Sequence, residues 1–148
     1  MPNVVKVDKS NLNEWARLSF GMYGEHHTFA EMLASCQEFL INNKETGYLY
    51  EIDGNYVGFI NTSIRNDYVN GTDGSPVVYV EAVYVLDEYR GRGIAKSLIK
   101  VAEEFARANG CKQLASDCMT SNTASEKFHK DCGFEEVERV ICFVKNVC

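Results

Sequence analysis

Residues 88–110, "EYRGRGIAKSLIKVAEEFARANG", place two glycines two positions apart in an arginine-bearing turn, immediately before a long amphipathic run. Ile94, Leu98, Val101, Ala102 and Phe105 keep one helical face apolar, and Gly110 supplies the stop signal. A strand therefore feeds a glycine turn that feeds a helix N-terminus, where unpaired backbone N–H groups favour an anion. Small residues at Gly91, Gly93 and Ala95 allow a ligand close to that backbone. The spacing is neither that of a Walker A loop nor GxGxxG, since "GRGIAK" has Ala and Lys where a third glycine belongs. Two arginines beside a turn are equally the composition of a solvated surface.

Two carboxylates form the second group. Alternation over "VVYVEAVYVL", residues 77–86, puts Val77, Tyr79, Glu81, Val83 and Val85 on one face of a strand that is apolar on both sides. Glu81 interrupts that face, and a charge there is expensive unless it is paired or borders a cavity. Asp117, in "LASDC", falls at the end of an expected strand over 112–118, and sites in α/β folds commonly lie beyond the carboxyl ends of strands. A structural ion pair for Glu81 and a capping or loop role for Asp117 are the plainer alternatives.

The elements that would position these groups follow from pattern. "VVKV" at 4–7 reads as a strand, with Ser10 or Asn11 capping a helix that carries Leu12, Trp15 and Leu18. Thr28 and Glu31 form a capping box ahead of a second helix. "YLYEI", the turn "DGN" and "YVGFINTSI" make a hairpin, and a polar loop over 66–76 leads to the long strand. A helix near 122–132 and two closing strands, Glu135–Glu138 and Val140–Lys145, are expected at the end. The 148 residues suit one domain over 1–148, with 45% apolar residues and two prolines fitting a mixed α/β globule.

Charge and composition narrow the partners. The net charge of -6 divides unevenly, with ten acids and five bases in residues 1–75 and eleven acids and ten bases in 76–148. That balance disfavours nucleic acid, whose backbone calls for a basic surface, and suits a cationic small molecule. No apolar run spans a bilayer and no secretory leader opens the chain, so a cytoplasmic protein off the membrane is expected. Six cysteines without a CxxC pair are expected as free thiols, and His26 and His27 lack a ligand cluster, so no metal is expected.

"Arg90-Gly91-Arg92-Gly93-Ile94-Ala95" resembles the pyrophosphate-binding signature of the GCN5-related N-acetyltransferases: Arg or Gln, two residues, Gly, one residue, then Gly or Ala. "SNTASEKFHKDCGFEE", residues 121–136, resembles their second coenzyme motif. Within the superfamily, "RNDYVNGTDGSPVVYVEAVYV", "ASDCMTSNTASEKFH" and "GFEEVERVICF" resemble aminoglycoside 6'-N-acetyltransferases, and the similarity runs through essentially all 148 residues.

The resemblance implies a mixed, mostly antiparallel central sheet flanked by helices, and acetyl transfer from acetyl-CoA to an amine by direct attack in a ternary complex. It implies that amides from Arg92 through Gly93, Ile94 and Ala95 to Lys96 hold the pyrophosphate, with Arg90 and Gly91 heading the motif and Asn122 opening the second one. The pantetheine arm would lie in a splay beside the central strand, with the backbone near Val83 receiving the acetyl carbonyl. Glu81 and Asp117 match acidic residues associated with aminoglycoside binding and amine activation. His129 stands where the family commonly has a tyrosine thought to protonate the leaving thiolate; a histidine there could donate a proton, bond the coenzyme or cap local structure.

Trp15, Tyr23, Glu25, Asp67, Tyr68 and Glu138 are expected to line an acceptor groove, rings against sugar faces and acids against ammonium groups. A homodimer is expected from similar enzymes, through the closing strands. Two rival functions remain: transfer to another amine such as a polyamine or peptide, and a non-catalytic acyl-CoA-binding module.

Overall fold

The computed structural model describes residues 3–42 and 44–148. Its centre is a five-stranded sheet in the order β1 (Val4–Lys6), β2 (Glu45–Ile52), β3 (Asn55–Arg65), β4 (Val77–Val85) and β5 (Leu114–Ala115). The first four strands pair antiparallel, and β5 pairs parallel to β4. The sheet is therefore mixed and mostly antiparallel, as expected. The β2–β3 hairpin turns at Asp53 and Gly54, both with positive φ, a conformation glycine adopts at little cost.

Helices α1 (Leu12–Tyr23) and α2 (Phe29–Ile41) cover one face of the sheet, where Trp15, Ala16, Leu18, Cys36, Leu49, Phe59 and Ala82 form a core. The expected capping box starts α2: the Thr28 hydroxyl accepts from the Glu31 N–H at 3.1 Å, and the Glu31 carboxylate accepts from the Thr28 N–H at 2.8 Å. Asn11 precedes α1 but does not cap it with its side chain. Its amide instead donates to the Lys6 carbonyl at 3.0 Å and accepts from the Asp8 N–H at 2.8 Å, tying the helix start to β1.

On the opposite face lies α3 (Ile94–Ala108), which buries Ile94, Leu98, Ile99 and Ala102 against Val57, Ile60, Val80 and Val85, with Phe128 of α4 (Thr123–Asp131) packed alongside. Among the described residues no helix is long and apolar enough to cross a membrane.

Strict alternation along β4 does not hold. Asn61 pairs with Ala82 and Thr62 with Val80, so Glu81 is the extra residue of a β-bulge. Val80 packs toward α3 and Ala82 toward α1 and α2; beyond the bulge Val83 and Val85 turn to α3 while Tyr84 joins the α1 side. The bulge reverses the side-chain parity of the strand. It also explains how a glutamate is accommodated there, because the extra residue is released from the packed layers on either side.

Three further expectations are corrected. Strand β5 covers only Leu114–Ala115 rather than 112–118, and the closing residues 135–148 contain no helix or strand. Trp15 is 1% exposed, edge-on to Phe39 with ring centroids 5.1 Å apart, and belongs to the core instead of an acceptor groove. Trp15→Ala should therefore destabilise the chain by about 3–5 kcal/mol in urea unfolding, the range for losing a buried aromatic.

Candidate active site

The glycine turn is built as an anion site requires. A short helical turn at Asp87–Tyr89 follows β4, and Gly91 and Gly93 then take φ of +78° and +80° before α3 begins. A Cβ added at either glycine would meet no atom within 4 Å, so the space beside this backbone is open. The first backbone bond of α3 runs from the Ser97 N–H to the Gly93 carbonyl at 3.0 Å, leaving the N–H groups of Ile94, Ala95 and Lys96 without a backbone acceptor. No acidic side chain lies in the first turn to fill that role. The residues present fit a pyrophosphate.

Arg90 and Arg92 brace the turn. Arg90 donates from Nε to the Val85 carbonyl at 2.8 Å and pairs with Asp87 at 2.6 Å, while the Arg92 guanidinium lies 5.1 Å from the Tyr89 ring centroid. Lys96 is exposed on the first turn of α3.

Beside this turn the sheet opens. Strand β4 stays paired with β3 as far as Val85, but with β5 it pairs only at Val78 and Tyr79. Val83, half-buried, therefore lies on a stretch of β4 with no strand on its β5 side. This is the expected splay.

Asn122 caps α4, its side-chain oxygen accepting from the Ser125 N–H at 3.1 Å. His129 is held at both nitrogens: Nδ1 is 2.7 Å from the Ser125 carbonyl and Nε2 is 2.7 Å from the Ser116 hydroxyl. Because a carbonyl only accepts, Nδ1 carries the proton in the neutral ring and Nε2 accepts from Ser116. Phe134 packs edge-on to the ring, with centroids 5.2 Å apart. In this geometry His129 joins α4 to the end of β5, and its neutral form has no proton free to give at Nε2.

The two carboxylates are linked through residues that pattern alone does not single out. The Tyr79 hydroxyl donates to Asp117, which lies two residues past β5. Arg65, the last residue of β3, stacks its guanidinium 3.5 Å from the Tyr79 ring centroid and reaches both Glu81 oxygens at 2.5 and 3.0 Å. Glu81, Arg65, Tyr79 and Asp117 thus form one continuous polar chain. Burial, then the hydrogen bond and charge of Asp117, push the Tyr79 phenol far above its ordinary range, so it stays a donor.

The Glu81 charge reaches further. Together with burial, which is the larger cause, it raises both Tyr23 at the end of α1 and Glu45 at the start of β2. Asp67 and Tyr68 line an open pocket of about 450 Å³ with Arg65 and Lys44. Through Arg65 the pocket adjoins the cluster, which brings Asp67 and Tyr68 beside it, whereas the Tyr23 ring lies edge-on to His27 with centroids 6.4 Å apart. Glu25 is exposed in the turn after α1, and Glu138 is exposed in the closing segment; neither takes part in an ion pair among the described residues. Arg65, Tyr79 and Glu45 become visible only with the strand register.

The chain belongs to the acetyltransferase (GNAT) family, whose sequence profile matches residues 10–134. It is 39% identical over 143 residues to the aminoglycoside N(6')-acetyltransferase type 1 of Salmonella enteritidis, spanning 97% of this chain and 98% of that protein. In structure it resembles AAC(6')-Iy in complex with the bisubstrate analog CoA-S-monomethyl-acetylneamine, with a TM-score of 0.91, 38% identity and 97% of each chain covered. The aminoglycoside 6'-N-acetyltransferase AAC(6')-Ih from Acinetobacter baumannii gives a TM-score of 0.90 at 33% identity over 99% of each chain.

Proposed function

We propose that this chain transfers acetyl from acetyl-CoA to the 6'-amine of an aminoglycoside, and so confers resistance to such antibiotics. The near full-length identity to enzymes named for that reaction supports the acceptor. The observation that carries the chemistry is that Glu81 and Asp117 stand in one side-chain cluster, beside the place where β4 and β5 part.

In this reading the pyrophosphate docks on the amides of Ile94, Ala95 and Lys96, and the thioester lies along the unpaired side of β4 near Val83. The acceptor arrives as an ammonium, which has no lone pair. Glu81 or Asp117 binds it and takes a proton, directly or through water. The freed amine attacks the acetyl carbon, the C–S bond breaks, and the second proton that nitrogen loses as the amide forms goes to the departing thiolate, giving CoA.

The test is an acceptor screen with the purified chain: neamine, spermidine and a lysine peptide are each offered with acetyl-CoA, and products are mapped by mass and fragmentation. Neamine acetylated at the 6' position is expected. Acetylation of only the polyamine or the peptide would move the acceptor class, and coenzyme binding without CoA release would leave a binding module.

The same reading places the enzyme in the cytoplasm as a single-domain protomer of a homodimer. Its six cysteines are free thiols, as a reducing compartment requires. For the dimer, the support lies in the closing residues. Ile141, Phe143, Val144 and Val147 are 80–94% exposed, and no backbone hydrogen bond links residues beyond Phe134 to the rest of the described chain. Each such side chain gains about 1.5–3 kcal/mol on full burial, and β5 leaves a free sheet edge. A second copy would supply the missing strands. Size-exclusion chromatography with light scattering should give twice the 16.7 kDa chain mass, and Phe143→Asp should give the single mass; a monomeric parent chain would end the dimer reading.

A further inference from the structure

An aromatic face beside a carboxylate is a cation site, and here the chain fills it with its own cation. The Arg65 guanidinium lies over Tyr79 and on both oxygens of Glu81. Its side chain is 43% exposed and the Glu81 side chain 26% exposed, so the pair is open to solvent on one side. Arg65 also borders the open pocket that Asp67 and Tyr68 line. It thus stands between that pocket and Glu81.

One guanidinium nitrogen of Arg65 spans both Glu81 oxygens, so an ammonium can take the same place over Tyr79 and between those oxygens only after the guanidinium leaves it. We infer that Arg65 is a specificity-determining residue: it occupies the ammonium position on Glu81 in the acceptor-free protein, and an incoming amine must displace it. The inference rests on the acceptor reading above. Displacement has a local outlet, because Asp67 offers another carboxylate in the pocket that Arg65 borders. It also favours acceptors carrying several charges, since a lone ammonium competes poorly against a tethered guanidinium.

Ligand binding distinguishes this role from simple bracing. A brace is needed for the cation site to work, whereas an occupant competes with the ligand. Removing a partly exposed competing pair should tighten acceptor binding about 1.5- to fivefold, the span expected for such an ion pair.

Arg65→Met, Glu81→Gln and their combination would be compared with the parent by calorimetry of neamine in the presence of CoA and by steady-state acetylation. Arg65→Met is expected to lower the Kd and KM of neamine about 1.5- to fivefold, and to have no such effect in the Glu81→Gln background. Arg65→Lys, which keeps the competing charge, should stay near the parent. Unchanged acetyl-CoA affinity certifies the fold, and Arg65→Gln replaces the methionine variant if that one fails to fold. Weaker neamine binding in Arg65→Met, or the same change in the Glu81→Gln background, overturns the inference. If the parent neither binds nor acetylates neamine, the acceptor reading fails. Spermidine then serves as the binding probe, and equal affinity for parent and Arg65→Met overturns the competitor role.

Discussion

Gly93→Glu is expected to abolish acetyl-CoA binding in calorimetry while leaving a folded protein. Two effects act together. Gly93 has φ of +80°, so any side chain there costs about 1–2 kcal/mol of backbone strain. The new carboxylate would then project from the N-cap of α3 into the open space where the N–H groups of Ile94, Ala95 and Lys96 await an anion. Negative charge at a helix N-terminus is favourable in itself, so the helix persists, but the substituted side chain takes the place of the coenzyme pyrophosphate and repels it. An affinity loss of about 100-fold or more follows from losing a charge-assisted anion site of this kind, since 1.4 kcal/mol is a factor of ten. Gly93→Ala introduces the strain without the charge and should bind measurably. Unaltered binding by Gly93→Glu would remove the cradle.

The other large effect belongs to the carboxylates. Glu81→Gln and Asp117→Asn should each lower kcat/KM by about 10²-fold, the lower end of the range for general acid–base catalysis. Both substitutions keep an acceptor oxygen: the amide introduced by Glu81→Gln can still take a hydrogen bond from Arg65, and the one introduced by Asp117→Asn can take one from the Tyr79 hydroxyl. The loss therefore reports charge and basicity rather than collapse of the cluster. Because the two acids are joined through Arg65 and Tyr79, the double variant should lose less than the product of the single losses. Near-parent values for both single variants would eliminate the carboxylate mechanism.

Much of this arrangement is legible in local pattern. The capping box of Thr28 and Glu31, the hairpin at Asp53 and Gly54, and the glycine turn into α3 each depend on residues a few positions apart, and each forms as expected. Glu81 is recognisable because charge inside an apolar run is costly.

What escapes local pattern depends on partners distant in sequence. Nothing within "VVYVEAVYVL" announces that Thr62 will pair with Val80 and Asn61 with Ala82, so the bulge and the change of parity it causes cannot be read from alternation. An indole such as that of Trp15 could face a sugar; packing against Phe39 and the sheet decides otherwise. Arg65 carries no signal alone, since a cation ending a strand is ordinary until the register sets it over Tyr79. The closing strands are expected on composition, and Val140–Lys145 has the composition. A strand also needs a neighbour to pair with, which these residues do not have within the described chain.

The bulge has an evolutionary consequence. Residues on either side of Glu81 are committed to packed layers, where a change of volume is penalised, but the extra residue of a bulge answers to neither layer. Position 81 is thus the one place in β4 where side-chain chemistry can drift without repacking the protein. Substitution there is therefore filtered by activity and not by folding: a lineage that loses this carboxylate keeps a folded chain with its coenzyme cradle intact and loses acetyl transfer.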